Sequence, residues 1–284
     1  MKFRTMSSAL ITSVLIVLSR GTSANAQSNN VSIYPGETLT YVVEYMTLEL
    51  ASVKFEIVNQ IDTMGTTLYH ARAEIKSNPK WPLIRVSDQY DAYFDQSYTP
   101  YYYKGRGLSG NFSFRLEYIF DQIEKQIDAK EYRTKHKDEA LHNQITEDIG
   151  PNIRDTLTLF YFLRQCSRNR NRVDSRKYPA FVGLKRTPVE FRRQKEPKTI
   201  MAAERKIRAV PAHIRVEHDG MAGARGKIKL SYSDDDRAIP LFAEVKLRIG
   251  KAKIRLVAYK SGRPALQTAH ASGGQVLGDF HKLR

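Results

Sequence analysis

The sequence predicts a mainly β protein: a strongly curved antiparallel meander, half-barrel or sandwich-like, closed over one buried α-helix near residues 152–166. Three observations carry that expectation. Apolar and polar residues alternate with period two along most of the 284-residue chain, as an antiparallel sheet with one solvated face requires. A single segment shifts to a helical period instead. Finally, one cysteine excludes intrachain disulfides, four-cysteine zinc sites and iron–sulfur clusters, so stability has to come from a buried core. At 41% hydrophobic and 10% aromatic the chain has the material for one.

The first element is one the mature protein loses. Lys2 and Arg4 precede the apolar stretch Ala9 to Leu18, and Thr22-Ser23-Ala24-Asn25-Ala26 ends in a small-residue cleavage pattern, so residues 1–26 read as a secretory signal peptide cut after Ala26. The apolar stretch is about half of the roughly 20 residues that a spanning helix needs, and no later stretch is apolar enough to cross a bilayer. Residues 27–260 then form one β-rich domain, and 261–284 a flexible basic tail.

Strands follow in order. Leu39, Tyr41, Val43 and Tyr45 share one face, then Val53, Phe55 and Ile57, then Phe112, Phe114, Leu116, Tyr118 and Phe120. Residues 121–149 are polar and are expected to give a strand and an exposed loop. Past Gly150-Pro151 the period changes: Ile153, Leu157, Phe160 and Leu163 fall at helical spacing, with Leu159, Phe162 and Cys166 on a neighbouring face. Asn152 is the expected cap, with Asp155 in the first turn and Arg164 in the last. A helix apolar on two faces has to be buried, as a plug on the concave side of the sheet. Leu241, Ala243, Val245, Leu247 and Ile249, then Ile254 and Leu256, resume the period-two pattern after it.

Charge is uneven. The whole chain has 46 Lys+Arg against 30 Asp+Glu, or +16. Residues 27–163 hold 14 basic and 19 acidic side chains, whereas 164–208 hold 15 and four. Within that block Arg164, Arg168, Arg170, Arg172, Arg176, Lys177, Lys185, Arg186, Arg192 and Arg193 are candidate anion-binding residues. Outside the cytoplasm the available anions are phospholipid head groups, lipopolysaccharide phosphates and acidic polysaccharides, and each cation near such a surface contributes about 1 kcal/mol. The competing reading is a solvated loop with edge strands whose cations deter pairing. Nucleic acid would suit the charge, but a signal peptide argues against it.

Other chemistry-bearing residues read as structural. Asp234, Asp235 and Asp236 lack the alternating spacing of a calcium loop and fit a turn relieved by Arg237. His213 and His218 are five apart, so on a strand they face opposite ways; His136 and His142 flank Asp138 and Glu139 in a charged stretch. Cys166 has no neighbouring base and reads as a buried inert thiol. Tyr101-Tyr102-Tyr103 suits strand packing better than sugar stacking. No nucleophile elbow, phosphate loop or zinc-protease motif occurs, and no cofactor or metal is expected.

Four pieces in order carry a resemblance: Tyr34-Pro35-Gly36-Glu37-x-Leu39-x-Tyr41; Asp88-x-Tyr90-Asp91-x-Tyr93-x-Asp95 with Pro100; Asp148-Ile149 through Asp155 to Tyr161-Phe162-Leu163-Arg164; and Ile228 through Asp234-Asp235-Asp236-Arg237 to Pro240, then Gly250 and Leu256. Together they make residues 33–260 resemble the bacterial exported family called domain of unknown function 3108. The chain differs in lacking a tryptophan before the Asp run and in its basic stretch 165–212. The resemblance implies an exported β-rich domain and no mechanism. The outline is also similar to the half-barrels of lipoprotein carriers, which hold acyl chains. Taken together, these observations lead us to expect a monomeric, non-enzymatic envelope protein that binds an anionic lipid, lipopolysaccharide or acidic glycan. The alternatives are an envelope hydrolase using Asp234, Asp235 or Asp236 with a histidine, and a protein-docking scaffold.

Overall fold

Alternating sequence becomes strand through nearly the whole chain. In a computed structural model, residues 33–63, 66–81, 85–109, 112–135, 138–168, 175–202, 204–216, 226–247 and 250–262 are described. The expected signal segment 1–26 and residues 263–284 of the expected tail lie outside them.

Eight strands precede the helix: β1 (Thr38–Tyr45), β2 (Leu48–Thr63), β3 (Thr66–Ser77), β4 (Ser87–Asp95), β5 (Pro100–Ser109), β6 (Phe112–Asp121), β7 (Gln126–Lys135) and β8 (Asp138–Asp148). The helix α1 (Thr156–Arg168) is followed by β9 (Arg176–Val182), β10 (Lys185–Arg193), β11 (Lys198–Ala202), β12 (Arg205–Val216), β13 (Gly226–Ser233), β14 (Pro240–Lys246) and β15 (Lys251–Lys260). All fifteen join one antiparallel sheet in the order β8-β7-β6-β5-β4-β3-β2-β1-β15-β14-β13-β12-β10-β9, with β11 also on β12. β12 serves two neighbours, β11 along Arg205 to Ala209 and β10 along Ala212 to Val216. β1 is an interior strand, held by β2 on one side and by β15 on the other, with Thr38 opposite Lys260.

Most of the expected inward residues are buried, while Tyr45, Phe112, Phe114 and Leu116 are half-buried and Ile249 lies outside the described residues. Leu39, Tyr41, Val43, Val53, Phe55, Ile57, Tyr118, Phe120, Leu241, Ala243, Val245, Ile254 and Leu256 are all buried. The sheet coils enough for a tyrosine to lie flat over a glycine: Tyr90 sits opposite Gly105, and a Cβ at Gly105 would come within 2.7 Å of the Tyr90 ring.

Two local expectations change. Residues 121–149 make two strands, β7 and β8, joined at 136–137, because a polar edge hairpin needs only one apolar face, here Ile127 and Ala129. The helix begins later than the sequence suggests, and its cap is Asp155. The Asp155 carboxylate accepts the Leu157 and Thr158 amides, each at 2.9 Å, and the Thr158 hydroxyl. Asn152 instead takes a left-handed turn conformation, φ 58°, which lets residues 153–155 run alongside β9 before the helix starts. Burial raises the Asp155 carboxyl to about 6 against those hydrogen bonds.

α1 fills the concave side. Phe160 stacks on Phe55 with ring centroids 4.1 Å apart, Tyr161 on Phe94 at 5.9 Å, and Phe162 meets Tyr98 and Tyr178 edge-on. Leu157, Leu159 and Leu163 are fully buried, and each such side chain stabilises by roughly 1.5–3 kcal/mol relative to exposure. β9 packs on both faces from Tyr178 to Val182, while Lys177 near its start is exposed. Tyr178 meets Phe162 of α1, while Phe181, on the opposite face of the strand, meets Tyr118 and Phe120 of β6. The free side of β9 is covered as well: Arg154 bonds in parallel register to Pro179 and Phe181. The sheet therefore rolls over its own end and is fastened there by side chains and one short bridge, not by a continuous ladder.

Candidate functional site: a buried arginine lock and a basic convex face

Three of the four sequence pieces meet around one guanidinium. Arg164 of α1 donates to both carboxylate oxygens of Glu37, at 2.6 and 2.9 Å, and to the carbonyl of Arg237 at 3.2 Å. Both side chains are under a tenth exposed. Burial alone would lower the Arg164 pKa, but the Glu37 charge and hydrogen bonds outweigh it and hold the guanidinium charged. Arg237 lies over Tyr34 and Tyr259 and bonds the Tyr259 and Ser261 hydroxyls. The start of β1, the end of α1 and the turn before β14 are thus locked together.

The Asp run is that turn. Asp235 accepts the Ser233 hydroxyl and the Arg237 and Ala238 amides, Asp234 pairs with Arg208, and Asp236 is fully exposed. Asp235 thus holds the turn and Asp234 an ion pair, and the described histidines lie elsewhere: His213 beside Gln194, His142 at a bulge of β8, His70 on β3. His136 and His218 fall outside the described residues. Among the described residues, no hydrogen bond or ion pair joins the Asp run to a histidine.

The basic block divides. Arg164 and Arg193 are buried, the latter donating to the Ser167 carbonyl at 2.8 Å, so neither meets solvent anions. Their neighbours on the apolar face, rather than their charge, decide where they go. Arg186 pairs with Glu147 of β8 at 2.7 Å; Arg168 and Arg176 are half-buried. Lys177, Lys185 and Arg192 are exposed, while Arg170 and Arg172 lie outside the described residues. Cys166 is half-buried, with its Sγ 3.2 Å from the Tyr178 hydroxyl.

The exposed cations continue across the convex face of β10 and β12–β15, at every second position opposite the buried row. Arg192 stands opposite His213, His213 opposite Lys229, Lys229 opposite Glu244 and Glu244 opposite Lys253. Lys246 stands opposite Lys251, and Glu244, which pairs with Lys251 at 2.9 Å, offsets the repulsion between them. The alternation in 241–256 already contained this row, although the candidate residues were drawn from the block before it.

On the convex face of the N-terminal half is a polar network that the sequence reading missed. Asp91 accepts from His70 at 2.7 Å, Arg72 at 2.8 Å and Gln89 at 2.8 Å, and His70 stacks on Tyr93 at 4.5 Å. Burial would raise the Asp91 carboxyl, but these hydrogen bonds hold it well below the usual carboxylate range. Only the Asp91-x-Tyr93 spacing hinted at it. On the inner face Asp88 is buried, with the Leu108 amide at 3.1 Å, and burial raises it to about 6.

The concave face is taken up by α1 and the aromatic rings around it, so the acyl-holding trough expected from the half-barrel outline is occupied by the protein itself. A recess of about 400 Å3 lies at the seam, lined by Gln126, Thr146, Glu147, Asp148 and Arg186, and it is polar.

A single antiparallel sheet rolled over one plug helix defines a β-barrel-like domain. The chain belongs to the DUF3108 family, described as a protein of unknown function, whose model matches residues 40–257. Among solved structures, the chain is similar to a β-barrel-like protein of the domain of unknown function DUF1849 from Brucella abortus. The TM-score is 0.50 at 9% identity, covering 80% of this chain and 98% of that one. A protein with a YmcC-like fold from Bacteroides fragilis matches at TM-score 0.32 and 7% identity, covering 86% of this chain and 100% of that one. At 9% identity the likeness to the Brucella protein is one of fold. No curated protein matches the sequence.

Proposed function

We propose that the protein is a non-enzymatic, exported envelope module that holds a phosphate-bearing amphiphile, lipid or lipopolysaccharide, against the convex face of β10 and β12–β15. The observation that carries the reading is the row of exposed cations that this face collects from successive strands, Arg192, Arg215, Lys229, Lys246 and Lys253. An anionic surface laid across this row gains about 1 kcal/mol from each cation it meets. The amino-terminal signal pattern supports export. The filled concave face favours binding on the surface over binding in a cavity.

Cosedimentation with vesicles tests it. Mature protein is expected to bind phosphatidylcholine vesicles containing phosphatidylglycerol, and to release as salt rises. Replacing Arg215, Lys229 and Lys253 with Glu is expected to weaken binding by about 100-fold or more, at about 1 kcal/mol for each cation lost. Binding that ignores salt, or that survives the triple variant, rejects the proposal.

A further inference from the structure

The two ends of the sheet are finished differently. β9 packs on both faces from Tyr178 to Val182, and its free side is bridged by Arg154. β8 ends the strand order at the other side, and most of its residues are exposed, Leu141 by 51%.

The hydrogen-bond pattern fixes which backbone groups of β8 face outward. The Ile149 amide donates to the Lys125 carbonyl. With Gln126 opposite Asp148 and Ile127 opposite Glu147, the antiparallel alternation turns Ile145 and Glu147 toward β7 and turns Gln144, Thr146 and Asp148 away from it. Arg186 accordingly reaches the Asp148 carbonyl from the far side. Gln144 and Thr146 thus direct their amides and carbonyls outward from an exposed strand.

The sequence of β8 sets what it accepts. Ala140 to Thr146 is a neutral run without proline or lysine, the residues that commonly blunt an edge. Asp138-Glu139 and Glu147-Asp148 bracket it. Glu139 is tied to Arg115 and Glu147 to Arg186, so exposed Asp138 and Asp148 supply the charge that an incoming strand meets. A second copy pairing antiparallel would set carboxylates against carboxylates, which repels it. A strand with cations at its ends is complementary at both ends, and the regular edge it can pair with is Asn143 to Thr146, beyond the bulge at His142.

We propose that the outer edge of β8 docks an extended segment with basic ends from a partner protein, by strand addition. The proposal is independent of vesicle binding, which uses the opposite half of the sheet.

The test uses the isotope-labelled full chain and a synthetic peptide as long as β8, with Lys-Arg at each end and alternating Val and Thr between. At saturation the Gln144 and Thr146 amides are expected to exchange about tenfold more slowly or better. The same peptide ending in Glu is expected to bind about tenfold more weakly. Gln144→Pro removes an N–H that the β7–β8 ladder does not use, and is expected to abolish binding. A second variant, Asp138→Lys with Asp148→Lys, is expected to reverse the preference between the two peptides. Protection that appears on other strands, or on none, overturns the proposal. So does protection of the same amides that grows with protein concentration in the absence of peptide, which would make a second copy the occupant.

Discussion

Replacing Arg164 with Met leaves Glu37 buried without its cation and strips the Arg237 carbonyl of a donor. Glu37 is 3% exposed, and breaking one side of so buried a pair costs about 3–5 kcal/mol. That is a large part of the roughly 5–15 kcal/mol holding a typical domain together. Glu37→Leu strands the guanidinium in the same way and is expected to cost about as much. The double replacement removes both charges and fills the space with apolar atoms, so it is expected to lose far less than the sum, with a coupling of about 2 kcal/mol or more. Urea unfolding at pH 7, followed by far-ultraviolet circular dichroism, measures all four proteins. A loss below about 1 kcal/mol for Arg164→Met, or single losses that simply add in the double variant, would refute the lock. If Arg164 were instead a surface anion-binding residue, its replacement would weaken vesicle binding and leave stability alone.

Two other outcomes follow from buried groups. Asp88 and Asp155 titrate near 6 in the folded chain and near 4 when unfolded. The folded state therefore holds the extra protons in this window, and unfolding free energy is expected to fall as pH rises from about 4 to about 6, by about 3 kcal/mol per group. Asp88→Asn is expected to flatten that slope by about half, and a slope unchanged in urea titrations across this range removes Asp88 from the account. Gly105→Ala places a Cβ 2.7 Å from the Tyr90 ring, which is only 2% exposed; a loss of about 1–3 kcal/mol in thermal unfolding is expected, and an unchanged midpoint would show that the ring yields.

The apolar rows of β1, β2, β14 and β15 were readable because alternation depends only on neighbours along the chain. The helix was readable for the same reason, but its cap was not. Asn152 and Asp155 are both good caps locally, and the choice fell to Asp155 because Arg154 had first to bond beside β9. β7 and β8 were missed in part because an edge hairpin has little apolar signal. Arg164 and Arg193 were misassigned because a side chain's charge does not reveal a partner 127 positions away, as Glu37 is from Arg164. The His70–Asp91 contact is hidden in the same way: its members belong to different strands, and neither lies in a recognisable pattern.

The position of β1 has a consequence for the order of assembly. It is made first among the strands, yet one of its two neighbours is β15, so Thr38 waits for Lys260 and Glu44 for Arg255, 211 residues later. Until the last strand is synthesised, β1 to β8 form a ribbon with two open edges. Loop closure over such distances is slow and pays back only when complete. The second ladder of β1 therefore forms only once residues 251–260 have been made, so the sheet closes around its first strand no earlier than its last.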